Sequence, residues 1–507
     1  MAVSLHFFRN DLRLNDNPAL SHAARGGSRL IPLFVFDDRA TAKSSFGFSR
    51  TGPHRQRFIL ESVTRLHNNL KARGSGLITA SGRPHEIIAS LCDAMDITLV
   101  AFQEEIAPEE KETEQAIREV LSTRGIPLRT FRSFTLIHPD DLPMPVTGTP
   151  DVFTHFRKKV EKHSEIRSPL PVPELPPLPS GMEPPENGFR LIGPAPADHG
   201  QSASGTSPAE RGLATIGAGI PPLDTLFPHE NAESDPRAAI VFRGGEDQAL
   251  ARLDHYFWKT DELQKYKFKR NGLLGPDYSS KFSAWLANGC LSPRTIYDQV
   301  KQYESSRKKN VSTYWLIFEL IWRDYFHFIM EKYCARLFHR DGLSPEPVSW
   351  QTDWERFQKW RDGETGIPFI DANMKELSAT GYMSNRGRQN VASFLSKYLE
   401  LDWRMGAEWF ESMLIDYDVH SNWGNWAYVS GVGNDPRDRF FNILNQARKY
   451  DPKGAYVRHW LPELAGLPDE HIHQPWKSAH APAEYPGQLV DFERCLEKLS
   501  GNGNGSG

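Results

Sequence analysis

The sequence predicts an α/β domain on a parallel sheet, joined by a long linker to an all-helical domain. Three observations carry this prediction. Over residues 1–140, short apolar runs alternate with amphipathic helical stretches, the pattern of βαβ units with helices on both sheet faces. Residues 168–237 turn to Pro, Gly, Ser and Ala, as in PLPVPELPPLPSGMEPPENG, with too little apolar surface to build a core. From Gly244 onward, helical periodicity prevails.

The strand candidates are Val3–Phe8, Leu30–Phe36, Leu77–Ala80, Thr98–Phe102 and Leu128–Phe131, with helices such as Arg55–Ala72 and Glu109–Thr123 between them. The domain is Rossmann-like in layout, but no GxGxxG follows its first strand, so the usual dinucleotide fingerprint is missing. The division expected is an α/β domain over 1–140, a linker over 141–243 with a disordered insertion at about 180–237, a helical domain over 244–490 and a flexible tail over 491–507. Within the helical domain, Tyr314–Ala335 is apolar on most faces and reads as a central buried helix.

Net charge is −4, so any nucleic-acid contact must come from a local patch. Four scattered cysteines form no CxxC pair, which argues against disulfides or structural zinc and for a reducing compartment. No apolar run is long enough for a membrane span, and MAVSLHFFRNDLRL enters a strand without a signal-peptide pattern. The expectation is a soluble intracellular monomer of cytoplasm or nucleus, with an organelle left open. All 13 tryptophans lie in the C-terminal half, a clustering that suits stacking or redox roles as well as packing.

Several polar constellations stand out. Tyr278-Ser279-Ser280-Lys281-Phe282-Ser283 sets three hydroxyls before a helix, which suits a phosphate or simple N-capping. In LIDYDVHSNWGNWAY, a helix would put Asp418, Asn422 and Trp426 on one face. The carboxylate could take ribose hydroxyls and the amide a heteroaromatic ring, or Asp416 and Asp418 could cap and face solvent. GYMSNRGRQN brings Asn385, Arg386, Arg388 and Gln389 to a helix start, where the guanidinium groups suit carboxylates or phosphates or are simply surface arginines at a polar helix start. Tyr266-Lys267-Phe268-Lys269-Arg270 could meet phosphates and bases or be a solvated face. His339-Arg340-Asp341 mimics a kinase catalytic loop, but the following Asn, a Gly-rich loop and DFG are all missing. Asn310-Val311-Ser312 matches a glycosylation sequon by chance.

Together these blocks resemble the photolyase–cryptochrome family, most closely its DASH-type cryptochromes. The motifs are FFRNDLRLNDNPAL, DYSSKFSAWLANGCLSPR, ELIWRDYF, GYMSNRGRQNVASFL and DWRMGAEWFESMLIDYDVHSNWGNWAYVSGVGNDPR. The resemblance implies FAD in the helical domain, with Tyr266, Ser279, Ser280 and Ser283 around its phosphates and ribityl chain. It also implies Arg388 paired with Asp416 beside the ring, Asp418 near the flavin and its sugar, and Asn422 facing N5. Trp426, Trp403 and Trp350 match an electron path to the surface. Glu319, Trp322 and Asn385 match a pyrimidine-dimer pocket, with Glu319 bonding the base carbonyls. Arg323 and Arg386 match phosphate contacts, and Lys269 and Arg270 lie near another.

Departures from ordinary photolyases are Tyr428 for a second wall tryptophan and Gln389 for a methionine. A later phosphate-contact arginine has no match, with Arg437 and Arg439 nearby. The implied function is light-driven repair of cyclobutane pyrimidine dimers in UV-damaged DNA, preferring single strands, with RNA left open as a partner. The alternative is a blue-light photoreceptor signalling through a partner. The resemblance further implies a methenyltetrahydrofolate antenna held by Glu109, with Glu105 as a neighbour and a deazaflavin or no occupant as alternatives. It implies no metal.

Overall fold

The computed structural model describes residues 2–183, 189–191, 215–220, 234–435 and 440–502. Five parallel strands make up most of the N-terminal sheet: β1 (Val3–Phe8), β2 (Arg29–Phe36), β3 (Ile78–Ser81), β4 (Ile97–Gln103) and β5 (Leu128–Phe131). Each begins and ends within about a residue of the prediction. β1 is buried along its whole length, as a strand covered on both faces must be. Helices Pro18–Gly26, Pro53–Lys71, Pro84–Ala94 and Pro108–Thr123 each open on a proline, whose missing N–H costs nothing in a first turn.

Two strands correct the expectation of disorder at about 180–237. β6 (Phe189–Leu191) and β7 (Thr215–Gly219) extend the sheet in the order β5-β4-β1-β2-β3-β7-β6, with β7 antiparallel to both neighbours. The rest of that insertion lies outside the described residues. Part of the expected linker is also structured. Helix Phe153–His163 stacks Phe153 on Trp322 and sets Phe156 against Tyr325 and Phe328 of the central helix. The tail expected to be flexible from 491 forms helix Phe492–Asn502. Phe492 is fully buried there and stacks on Tyr398, ring centroids 5.2 Å apart. Residues 503–507 lie outside the described residues.

The central helix runs Val311–Tyr333. Its start explains the sequon: Asn310 accepts from the Ser312 and Thr313 amides while the Thr313 hydroxyl accepts from the Asn310 amide, a capping box. Asp324, fully buried in this helix, accepts the amides of Leu136 (2.9 Å) and Ile137 (2.8 Å). Glu246 likewise accepts those of Leu14 and Asn15, and Arg294 pairs with buried Asp16 at 2.6 Å. These contacts tie the N-terminal domain to the helices. One sheet face shares a continuous apolar core with the helical domain, and a second, smaller core covers the other face.

Candidate functional site

Three helices, Asn385–Ser393, Trp403–Met413 and Val419–Ser430, carry much of the predicted site. Asp418 is the N-cap of the last. Its carboxylate accepts the amides of His420 (2.9 Å) and Ser421 (3.3 Å) and bonds the His420 ring at 2.9 Å, with Arg323 at 3.8 Å. Burial favours its neutral form, but His420 and Arg323 outweigh this and hold it well below the usual carboxylate range. One turn on, Asn422 is buried and donates to the Ala407 carbonyl at 3.0 Å. After another turn, Trp426 packs edge-on against Phe410 and Trp360 at 5.1 and 6.2 Å. A Cβ at Gly406 would stand 2.2 Å from the Trp426 ring, so only glycine lets these two helices approach so closely.

Arg388 donates to Asp416 at 2.8 Å and to the Met383 carbonyl at 2.9 Å. The other Asp416 oxygen is buried without a partner, as are Asn373 Oδ1 and Asn390 Oδ1. The loop 276–280 is clamped by Arg252, which donates to Asp277 and to the carbonyls of Pro276, Ser279 and Ser280. Among the described residues, the hydroxyls of Ser279, Ser280 and Ser283 make no hydrogen bond with the protein. Sequence reasoning assigned no role to Lys281, although it sits inside the serine motif. Its amine is buried, lacks a hydrogen-bond partner and lies 3.1 Å above the Tyr278 ring, where burial lowers its proton affinity well below a normal lysine's. Free hydroxyls, a buried amine and an unmet carboxylate oxygen are what a diphosphate and a polar heteroaromatic ring require. The residues present fit FAD.

Trp403 is fully buried and Trp350 nearly so. Both indole N–H groups donate to one atom, the Arg340 carbonyl oxygen, at 3.0 and 3.1 Å. Trp423 lies edge-on to Trp403 at 5.6 Å, and Trp409 packs on Phe48.

Glu319 meets Arg270 at 2.7 Å. Burial raises its proton affinity, and Arg270 and the Trp315 indole oppose that rise. Tyr266 is buried close to this pair. Trp322 stacks on Phe153, centroids 3.5 Å apart, and lies edge-on to Tyr428 at 6.2 Å. The Tyr428 hydroxyl donates to Asp435 at 2.7 Å. Asn385 is exposed, and Gln389 keeps a buried, unpartnered oxygen. Arg386 reaches Asn271 and Gln446 at 3.2 and 3.3 Å and lies over the Tyr450 ring.

One expectation needs correction. Arg323 is turned inward: it donates to the carbonyls of Phe134 (2.6 Å) and Leu286 (3.3 Å) and lies 3.7 Å over the Phe134 ring. It ties the domains together rather than facing a phosphate. Lys269 is paired with Glu262 at 2.7 Å. Arg437 and Arg439 lie outside the described residues.

For the antenna, the structure separates the two acids. Glu109 is half-exposed and forms a two-oxygen pair with Arg50. Glu105 is only 3% exposed, and its side chain accepts one bond, from Gln103 at 3.1 Å. Burial pushes its carboxyl up to about 7 against the opposing influence of Arg9 and His420. Among the described residues, no His/Cys/Asp/Glu group is arranged to hold a metal ion and no helix is long and apolar enough to cross a membrane.

Comparison with known proteins agrees with this geometry. Residues 4–177 match the family model described as DNA photolyase, and residues 315–500 match the FAD binding domain of DNA photolyase. The Cryptochrome DASH of Gloeobacter violaceus is 50% identical over 499 residues, covering 96% of this chain and 93% of its own. That of Danio rerio is 47% identical, covering 92% and 84%. A crystal structure of a Synechocystis cryptochrome superposes with a TM-score of 0.89 at 43% identity, covering 99% of each chain. With the fold, the flavin-binding half and near-full-length relatives in agreement, the chain belongs to the photolyase–cryptochrome family, among the DASH-type cryptochromes.

Proposed function

We propose that this protein repairs cyclobutane pyrimidine dimers in light, preferring single-stranded DNA, through FAD held by its helical domain. The observation that carries this reading is the set Glu319, Arg270, Trp322, Asn385 and Tyr428. Glu319 and Trp322 lie on the central helix, Arg270 faces Glu319, and Asn385 and Tyr428 lie on the helices that also carry Arg388 and Asn422, so an acid, a cation, an exposed amide and two aromatic rings accompany the flavin-binding residues. A flavin cradle for sensing alone has no need of such a set.

Bound, reduced FAD supplies the excited electron that opens the cyclobutane ring, and the electron then returns. The protein's part is to bind, orient and stabilise. Ser279, Ser280, Ser283 and Lys281 hold the diphosphate, while Arg388 and Asp416 fix the ring edge. Asn422 offers N5 an amide, which cannot readily give up a proton. Trp322 and Tyr428 flank the flipped bases, Asn385 and Gln389 bond their edges, and Arg386 meets the backbone. Glu319 donates a hydrogen bond to a base carbonyl as negative charge builds there, an interaction strongest when that charge exists only during reaction.

The single-strand preference rests on Tyr428 and Gln389, which make the pocket polar, and on Arg323, whose inward course removes one cation from the DNA face. Extracting a dimer from a duplex costs a few kcal/mol of lost stacking and pairing, and this pocket offers less to offset it. For the antenna we place methenyltetrahydrofolate against Glu105 rather than Glu109, because Glu105 is the buried acid, with its side chain bonded to Gln103 and not to an arginine as Glu109 is to Arg50.

The test is dimer repair in light and darkness on matched single-stranded and duplex substrates. Light-dependent repair faster on single strands supports the reading, and equal rates would sink the preference. FAD-loaded protein that repairs neither form would overturn the repair reading in favour of light sensing.

A further inference from the structure

The His339-Arg340-Asp341 turn, a kinase look-alike in sequence, sits against two of the three path tryptophans, Trp350 and Trp403. Its Arg340 carbonyl accepts both the Trp350 and Trp403 indole N–H groups, so the two nitrogens cannot lie further apart than those two bonds together. The Arg340 guanidinium closes the loop by donating to the Trp350 carbonyl, and its Nε stands 3.7 Å from Asp402. Asp402 in turn caps the helix that carries Trp403, accepting the Arg404 amide at 3.0 Å. Asp341 accepts the Val348 amide at 3.0 Å, which folds back the segment delivering Trp350. The Leu343 amide donates to the Val432 carbonyl at 2.7 Å, just past the helix that carries Trp426. At Gly342, φ is +52° and a Cβ would meet that same carbonyl at 2.4 Å, so glycine is needed for the turn to seat.

We propose that this turn is the staple of the outer electron path, with Arg340 a positioning residue for Trp350 and Trp403. The proposal rests on reading those tryptophans as electron donors. In each event one electron leaves Trp426 for photoexcited FAD, one leaves Trp403 for oxidised Trp426, and one leaves Trp350 for oxidised Trp403. The charge ends as a Trp350 radical cation, which an external thiol reduces by one electron while releasing its proton to solvent. An oxidised indole holds its N–H proton weakly. A peptide carbonyl accepts a charge-strengthened hydrogen bond from it yet is too weak a base to remove the proton. The shared oxygen therefore fixes both rings and lets the cation persist until the thiol arrives.

The test uses full-length, FAD-loaded protein. Arg340→Ala should retain flavin and melting temperature but lose several-fold in photoreduction yield with thiol present. It should also shorten the tryptophan radical lifetime and speed solvent exchange of the Trp350 indole N–H, measured in the dark. Arg340→Lys, which keeps a donor for the Trp350 carbonyl, should recover most of each. Should the alanine variant fail to fold, Arg340→Met keeps the stem and serves the same comparison. Wild-type yield, lifetime and exchange in the variant that removes the donors would overturn the staple. Wild-type photoreduction in Trp350→Phe and Trp403→Phe would instead overturn the donor reading beneath it.

Discussion

Arg270 and Glu319 face each other at 2.7 Å, and Arg270 is the one cation that opposes the effect of burial on the Glu319 carboxyl. Arg270 comes from the basic run that could otherwise meet a DNA phosphate, so the cation that would meet the strand also limits how far burial raises the acid's proton affinity. Glu319→Ala should lower the repair rate by about a hundredfold, the scale of a lost donor to developing charge, with flavin content unchanged. Arg270→Gln should move the alkaline limit of repair upward, since Glu319 then holds its proton to higher pH. The pH–rate profile on one short single-stranded substrate checks both.

The Arg388–Asp416 pair should decide flavin retention. Asp416→Ala leaves a mostly buried guanidinium without its carboxylate, a change of roughly 3–5 kcal/mol for pairs of this kind. It also removes the buried oxygen left without a partner. The variant should purify with little flavin and a lower melting temperature, read from its visible absorption and thermal unfolding. Full flavin content in it would remove Asp416 from the cradle.

Glu105 gives a signed pH effect. Its folded carboxyl titrates at about 7, against ~4.3 in an unfolded chain. Between those values the folded state holds a proton that the unfolded state has lost, so stability is fully present below ~4.3 and falls as pH rises towards 7. At ~1.4 kcal/mol per unit, the loss is roughly 4 kcal/mol. Glu105→Gln should remove this slope, matching the wild type near pH 4 and exceeding it at pH 8 in thermal unfolding. The same variant should lose the pterin absorption if Glu105 holds the antenna, whereas Glu109→Gln should keep it.

The legible parts of the molecule were those whose burial is written in local periodicity. β1 is buried along its whole length, β2 is a nearly unbroken apolar run, and the central helix is apolar on most faces. β7 reads TIGAG, whose glycines and alanine carry no strand signal, and it is made a strand by pairing with β3. The Phe492–Asn502 helix is anchored by Phe492 against Tyr398, 94 residues earlier in the chain, a contact no local pattern announces. Arg323 failed for the same reason: its partners Phe134 and Asp418 come from distant segments. Glu105 and Glu109 share one acidic run, and only the fold turns Glu105 inward while Glu109 meets Arg50. Lys281 needed the fold too, since a buried amine without a hydrogen-bond partner is visible only in three dimensions.

The single-strand preference can be reversed if its cause is right. Tyr428 sits edge-on to Trp322 and gives its hydroxyl to Asp435, so the wall is anchored to a polar partner rather than free to pack on an extracted base. Tyr428→Trp with Gln389→Met should enlarge the apolar contact with the dimer. At about 25 cal/mol per Å² of apolar surface, even a few tens of Å² supply ~1 kcal/mol, part of the few kcal/mol that extraction from a duplex costs. The double variant should therefore gain severalfold on duplex dimers and little on single strands, where no pairing opposes entry. Repair rates on the two matched substrates decide it. An equal gain on both would mean that the pocket governs chemistry rather than access, and the preference would have to be sought elsewhere on the DNA-facing surface.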